Sequence, residues 1–178
     1  VVPVENSTEG VVTHTLDMLV DSDLKIVSQI VMPIQHCLCC KAPRHQIKKL
    51  FSHPQPLAQC RGWVQDHFRN AEINETSSTT RAAELAGAEP NAAAITSALA
   101  AEKYGLDILE SDIQDSAGNA TRFLVLGRQC SPSTGKDRTS LMISITDKVG
   151  ALHRALACFR RFRINLTKIE SRPNKRKA

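Results

Sequence analysis

Three runs of hydroxyl, amide and charged side chains stand where apolar stretches begin or end: Glu5-Asn6-Ser7-Thr8, Ser77-Ser78-Thr79-Thr80 and Asn119-Ala120-Thr121-Arg122-Phe123. In an α/β sheet such strand ends face a common crevice. Helix N-termini there hold carboxylates through free N–H groups and the helix dipole. Each run serves equally well as an ordinary helix cap, and Thr121 and Arg122 also fit as a β-branched strand residue and an exposed strand charge. The residues by themselves indicate an anion-binding α/β domain.

The elements that must position these runs follow from periodicity. Val1 to Val4 reads as a short buried strand, and Asn6-Ser7-Thr8 is placed to cap a helix carrying Val11, Val12, Leu16, Leu19 and Val20. Leu24 to Leu38 alternates as one or two strands, with Pro33 marking an edge or bulge. Gln46 to Phe51 is a short strand stopped by His53-Pro54, and Leu57, Cys60, Trp63, Val64 and Phe68 are spaced for one helix over Pro56 to Phe68. A helix from Arg81 to Leu85 follows the second hydroxyl run, and Ala92 to Tyr104 predicts an alanine-rich helix ended by Gly105. Extended chain over Asp107 to Glu110 and a strand over Thr121 to Leu126 complete an alternation that predicts an α/β sheet domain.

Gln129 to Arg138, with Pro132 and Gly135 among polar residues, reads as a linker. Beyond it the pattern predicts a strand (Ser140 to Thr146), a helix (Ala151 to Phe162) and a strand (Asn165 to Ser171). The expected domains are therefore 1–128, a linker over 129–138, and 139–178.

Composition narrows the function classes. The net charge of +5 comes largely from the segment Arg160 to Lys177, and seven aromatic residues in 178 make no stacking surface for bases, so no nucleic-acid partner is expected. No apolar run reaches the length of a membrane span, and no basic leader precedes Val1, so a cytoplasmic location is expected. Six cysteines, three crowded into Cys37, Cys39 and Cys40, suit reduced thiols better than a disulfide framework. The group His36-Cys37-Leu38-Cys39-Cys40 lacks tetrahedral ligand spacing, so neither metal nor other cofactor is expected.

Five strings in order, VPVENSTEG from Val2, SHPQPLAQC from Ser52, TSSTTRAAELA from Thr76, YGLDILESDIQD from Tyr104 and NATRFLVLG from Asn119, resemble the successive signatures of prephenate dehydratases. DKVGALHRAL from Asp147 and INLTKIESRP from Ile164 resemble the two phenylalanine-site motifs of the ACT domain fused behind bacterial members, many of which also carry a preceding chorismate mutase domain. The resemblance implies a two-lobed catalytic domain of periplasmic-binding-protein type, followed by the first β-α-β of an α+β ACT domain. It implies further that the opening of the first lobe and the rest of the ACT domain lie outside these 178 residues, leaving both domains incomplete and the chain itself poorly active.

The implied reaction converts prephenate to phenylpyruvate in phenylalanine biosynthesis, by joint loss of carbon dioxide and water. It requires little beyond a proton donor beside the departing hydroxyl. By resemblance that donor is Thr121, within a polarised network, with Arg122 supplying fixed positive charge. Glu5, Asn6, Ser7, Ser52, Gln59, Ser78, Thr79 and Phe123 are carried over as substrate-binding residues, and Cys60 as a packed thiol. L-phenylalanine is the implied allosteric inhibitor, bound by Gly150, Ala151, Leu152, Asn165, Glu170, Ser171, Arg172 and Pro173 at a subunit interface of a homodimer or homotetramer. Ser28-Gln29 departs from the family's usual Gly-Glu. Two other readings stay open: the same chemistry on arogenate, and a catalytically silent phenylalanine sensor.

Overall fold

The computed structural model describes residues 1–172, so Pro173 lies outside the described residues. In chain order the elements are β1 (Val2–Asn6), β2 (Gly10–Val11), α1 (Thr13–Val20), β3 (Lys25–Pro33), β4 (Cys37–Cys40), β5 (Lys49–Ser52), α2 (Pro54–Gln59), α3 (Arg61–His67), β6 (Glu72–Glu75), α4 (Thr79–Ala88), β7 (Ala92–Thr96), α5 (Ala98–Tyr104), β8 (Asp107–Glu110), β9 (Ala120–Gly127) and α6 (Ala151–Arg161). The α/β expectation holds. Two sheets form, ordered β2-β1-β9-β3 and β6-β5-β7-β4-β8.

The chain divides into two compact units, one of residues 5–11 and 30–123, the other of residues 1–4, 12–29 and 124–178. The five-stranded sheet belongs wholly to the first. Strand β5 pairs parallel with β6 and β7, and β4 pairs antiparallel with β7 and β8. The period of two decides what each face buries. Cys37 and Cys39 of β4, with Phe51, Ala92 and Ala94, pack against Ala82, Ala83, Ala86, Ala100 and Ala101 of α4 and α5. Leu38, Cys40, Leu50, Ala93 and Ile95 project to the other face, against Cys60, Val64 and Phe68. Every residue of β4 and β7 is buried, as expected of strands covered on both faces.

Several elements differ from the sequence expectation, each for a tertiary reason. Ala92 to Thr96 is the central strand β7, and the helix begins only at Ala98 behind a Ser97 cap that accepts from Ala100 N at 3.3 Å. Alanine's helix propensity is overridden because small side chains let α4 lie close upon a strand already paired along both edges. The helix expected over Pro56 to Phe68 is two, with Cys60 as the joint between α2 and α3. Asn6-Ser7-Thr8 does not cap α1, whose N-cap is Val12 with no side-chain cap. Asn6 instead closes the turn after β1, its Oδ1 accepting from Thr8 N at 2.9 Å and Glu9 N at 3.1 Å.

In the second unit α6 spans Ala151–Arg161, led by Gly150 at φ +77°, a left-handed turn that favours glycine. The flanking strands expected over Ser140 to Thr146 and Asn165 to Ser171 are not formed. Neither segment has a neighbouring strand to pair with among the described residues, and alternation without a hydrogen-bonding partner does not make a strand. Arg172 is held at 3.1 and 3.0 Å from Asp17 of α1.

Candidate functional site

The clearest constellation lies within the first unit, where the turn after β1 meets the start of β9 and the end of α2. Ser7 joins them through the backbone: its N–H donates to Ala120 O at 2.9 Å, its Oγ accepts from Ala120 N at 2.9 Å, and its hydroxyl donates to Gly118 O at 3.2 Å. That pairing sets Asn6 beside Asn119 and Thr121.

The amide directions in this cluster follow from their partners. Two backbone N–H groups donate to Asn6 Oδ1, so Asn6 Nδ2 is the face turned to its neighbours. It donates to Asn119 Oδ1 and to Thr121 Oγ1, both at 2.9 Å. Asn119 Nδ2 then donates to Gln59 Oε1 at 3.0 Å, and Gln59 Nε2 to the Glu9 carboxylate at 2.8 Å. Gln59 Oε1 also lies 2.7 Å from His36 Nε2. Since a carbonyl oxygen only accepts, His36 carries its proton on Nε2. His36 and Asn119 are both buried.

Thr121 Oγ thus accepts a hydrogen bond from Asn6 and keeps its own proton. Among the described residues no group accepts that proton. It remains available for an oxygen brought from outside. Arg122 Nε lies 3.8 Å from Glu5 Oε2, a half-exposed pair loose enough to yield to a stronger carboxylate ligand. Phe123 follows on the same strand, partly buried.

The other expected substrate residues fall elsewhere in the unit. Ser52 is fully buried, and its hydroxyl donates to Ile95 O at 2.8 Å, tying β5 to β7. Ser78 caps α4 by accepting from Arg81 N at 3.0 Å, and Thr79 offers its carbonyl to Thr96 Oγ1 at 3.0 Å. The structure gives these three packing and capping contacts, and among the described residues none of them is hydrogen-bonded to Thr121. Burial pushes the Cys60 thiol up to about 12, with the nearby Asp115 charge and Cys37 adding to it. Cys39 is pushed to about 12 chiefly by burial as well. Both are packed thiols, unsuited to nucleophilic attack.

Three members escaped sequence reasoning in their roles here. The sequence places Asn119 in a polar strand-end run, His36 in a strand and Glu9 in a family-like string, and assigns none of them a place in this network. An Asn opening a strand is a weak signal that becomes strong once it is buried, because all of its amide must then be satisfied. In the second unit, Ile145, Thr146, Asp147, Lys148, Gly150 and Leu152 line a recess of about 360 Å³ at the head of α6. Glu170 and Asn165 are exposed and do not line it.

The family model for prephenate dehydratase matches residues 1–131. The chain is 46% identical over its whole length to a bifunctional chorismate mutase/prephenate dehydratase of Aquifex aeolicus, of which it covers 49%. It is 37% identical over 99% of its length to an arogenate dehydratase/prephenate dehydratase of Arabidopsis thaliana, covering 46% of that protein. Among solved structures, a prephenate dehydratase of Arthrobacter aurescens in complex with L-Phe matches 98% of this chain and 60% of its own, with a TM-score of 0.78 and 35% identity. The chain thus spans about half the length of the curated relatives it matches.

Proposed function

The chain belongs to the prephenate dehydratase family, and from that premise we propose that its protein converts prephenate to phenylpyruvate, with Thr121 delivering the proton that lets hydroxide leave as water. The observation that carries this reading is the sense of one hydrogen bond. Asn6 donates to Thr121 Oγ, so the hydroxyl proton points to whatever acceptor sits beyond it. Threonine alone is a weak acid, and the Asn6 donor eases its task by stabilising negative charge as it builds on Oγ.

In the proposed step the ring C–OH bond breaks as the Thr121 proton moves to the departing oxygen. The ring C–carboxylate bond breaks with it, its electron pair entering the ring to complete aromaticity. Carbon dioxide and water leave, and Thr121 regains its proton from solvent, so one proton is consumed overall. Arg122 exchanges its loose contact with Glu5 for a substrate carboxylate, and Phe123 lies against the ring.

L-phenylalanine is the proposed allosteric ligand, at the recess headed by Gly150, Ala151 and Leu152. A glycine with positive φ at a helix start lets a ligand carboxylate approach the backbone N–H groups closely. Assembly as a homodimer or homotetramer would bring Asn165 and Glu170 to Arg172 against a neighbouring copy. No helix among the described residues is long and apolar enough to cross a membrane.

The test is phenylpyruvate formation by the full-length protein, from prephenate with and without phenylalanine and with arogenate as competing substrate. Prephenate turnover suppressed by phenylalanine is the expected result. Preference for arogenate transfers the chemistry to the aminated substrate. Phenylalanine binding with turnover of neither leaves only a sensor.

A further inference from the structure

The side chains around Asn6 close into a ring. Asn6 Nδ2 donates to Asn119, Asn119 Nδ2 to Gln59, Gln59 Nε2 to the Glu9 carboxylate, and Glu9 N–H returns to Asn6 Oδ1 at 3.1 Å. All four bonds run in one sense, an arrangement in which each strengthens the next. Flipping any amide would set donor against donor or acceptor against acceptor at two places. Thr8 N–H and Glu9 N–H hold Asn6 Oδ1, so Asn6 shows Thr121 an N–H, and the sense of the rest of the ring decides whether Asn119 presents the acceptor that this N–H group also needs. Shown a carbonyl, Thr121 would spend its proton on Asn6 and have none for substrate.

Backbone N–H groups hold Asn6, whereas among the described residues neither Asn119 nor Gln59 has a backbone tie of its side chain, and two groups fix the sense at Gln59. Glu9 presents a carboxylate that can only accept, and His36 presents Nε2, a donor to the opposite end of the same amide. We propose that Glu9 and His36 are positioning residues, clamping the Gln59 amide from its two ends so that Asn119 keeps its Oδ1 toward Asn6 and, together with the backbone ties of Asn6, the Thr121 proton stays turned outward. Neither is hydrogen-bonded to Thr121 among the described residues; they act through Gln59, Asn119 and Asn6. The effect on turnover rests on the dehydratase reading, whereas the clamp itself does not.

Both parts are measured on the full-length protein. Imidazole ¹⁵N spectra at a pH where His36 is neutral report its tautomer, and the Nε2-protonated form is expected, giving way to a mixture in Gln59→Leu. Steady-state kinetics are then compared for His36→Leu and Glu9→Leu against His36→Gln and Glu9→Gln, which keep a donor or an acceptor at nearly the same reach. Each Leu variant should lower kcat about tenfold with KM within about twofold, and each amide variant should recover most of the loss at unchanged melting temperature. His36 protonated on Nδ1 overturns the clamp whether or not the protein turns prephenate over. Leu variants with wild-type kcat, or amide variants as slow as the Leu ones, overturn it as well. A protein that turns over neither substrate but shows His36 protonated on Nε2 keeps the clamp and refutes the dehydratase reading alone.

Discussion

Residues 37–123 and residues 139–172 carry apolar alternation of the same kind, and only the first set becomes sheet. Cys37–Cys40 is hydrogen-bonded along both edges and buried on both faces. Leu141, Met142, Ile143 and Ile145 repeat the pattern, yet lie between 47% and 66% exposed with no strand beside them. Alternation therefore states which face could be buried, while a strand also needs a neighbour's backbone. The same contrast separates the chemistry: a satisfied ring of amides in the first region, an open recess at one helix end in the second.

If the regions divide the work as proposed, Thr121→Ala should lower kcat by about 10²- to 10⁴-fold while calorimetric binding of L-phenylalanine stays unchanged. Loss of both together would break the division. Packing gives the next largest effect. Leu50→Ala should cost about 2–5 kcal/mol in urea unfolding, whereas Leu141→Ala should stay within about 0.5 kcal/mol. Equal costs would mean that Leu141 is as well covered as the five-stranded sheet.

Thiol labelling sharpens the contrast without any mutation. Cys130 and Cys158 are exposed, and Cys37, Cys39, Cys40 and Cys60 are buried. Two thiols should react with a disulfide reagent at once and four only at the rate of unfolding. The mildest effect is alkaline. Burial pushes Cys39 and Cys60 from 9.0 to about 12, so the folded state holds their protons where the unfolded chain releases them. Stability should be undiminished by these groups below about pH 9 and fall as pH rises toward 12, followed as the urea midpoint. A flat profile across that window would show that the two thiols are not buried in solution.

Much of the first region was legible in the sequence. The polar closures at Glu5 to Thr8 and Asn119 to Phe123 mark the strand ends that do meet, and Pro33, expected at an edge or bulge, lies in the edge strand β3. What stayed hidden depended on distance along the chain. Ala92 to Thr96 reads as helix because alanine says nothing of the strands that will flank it. His36 and Gln59 stand 23 residues apart, and no local pattern announces that their side chains will share a hydrogen bond. Ser52, Ser78 and Thr79 show the ambiguity of such signals: hydroxyls beside a strand end serve packing and capping as readily as substrate.

A closed ring also has a mutational consequence. The first substitution that opens it should carry most of the penalty, and a second at another of its members little more, so losses at Asn6, Gln59 and Asn119 should fall well short of adding. Drift at these positions would then come in concert or not at all, since a lone amide changed to an isosteric acid meets the wrong partner on one side. The tolerant exit is Glu9, where exchange for another acceptor leaves the circuit intact.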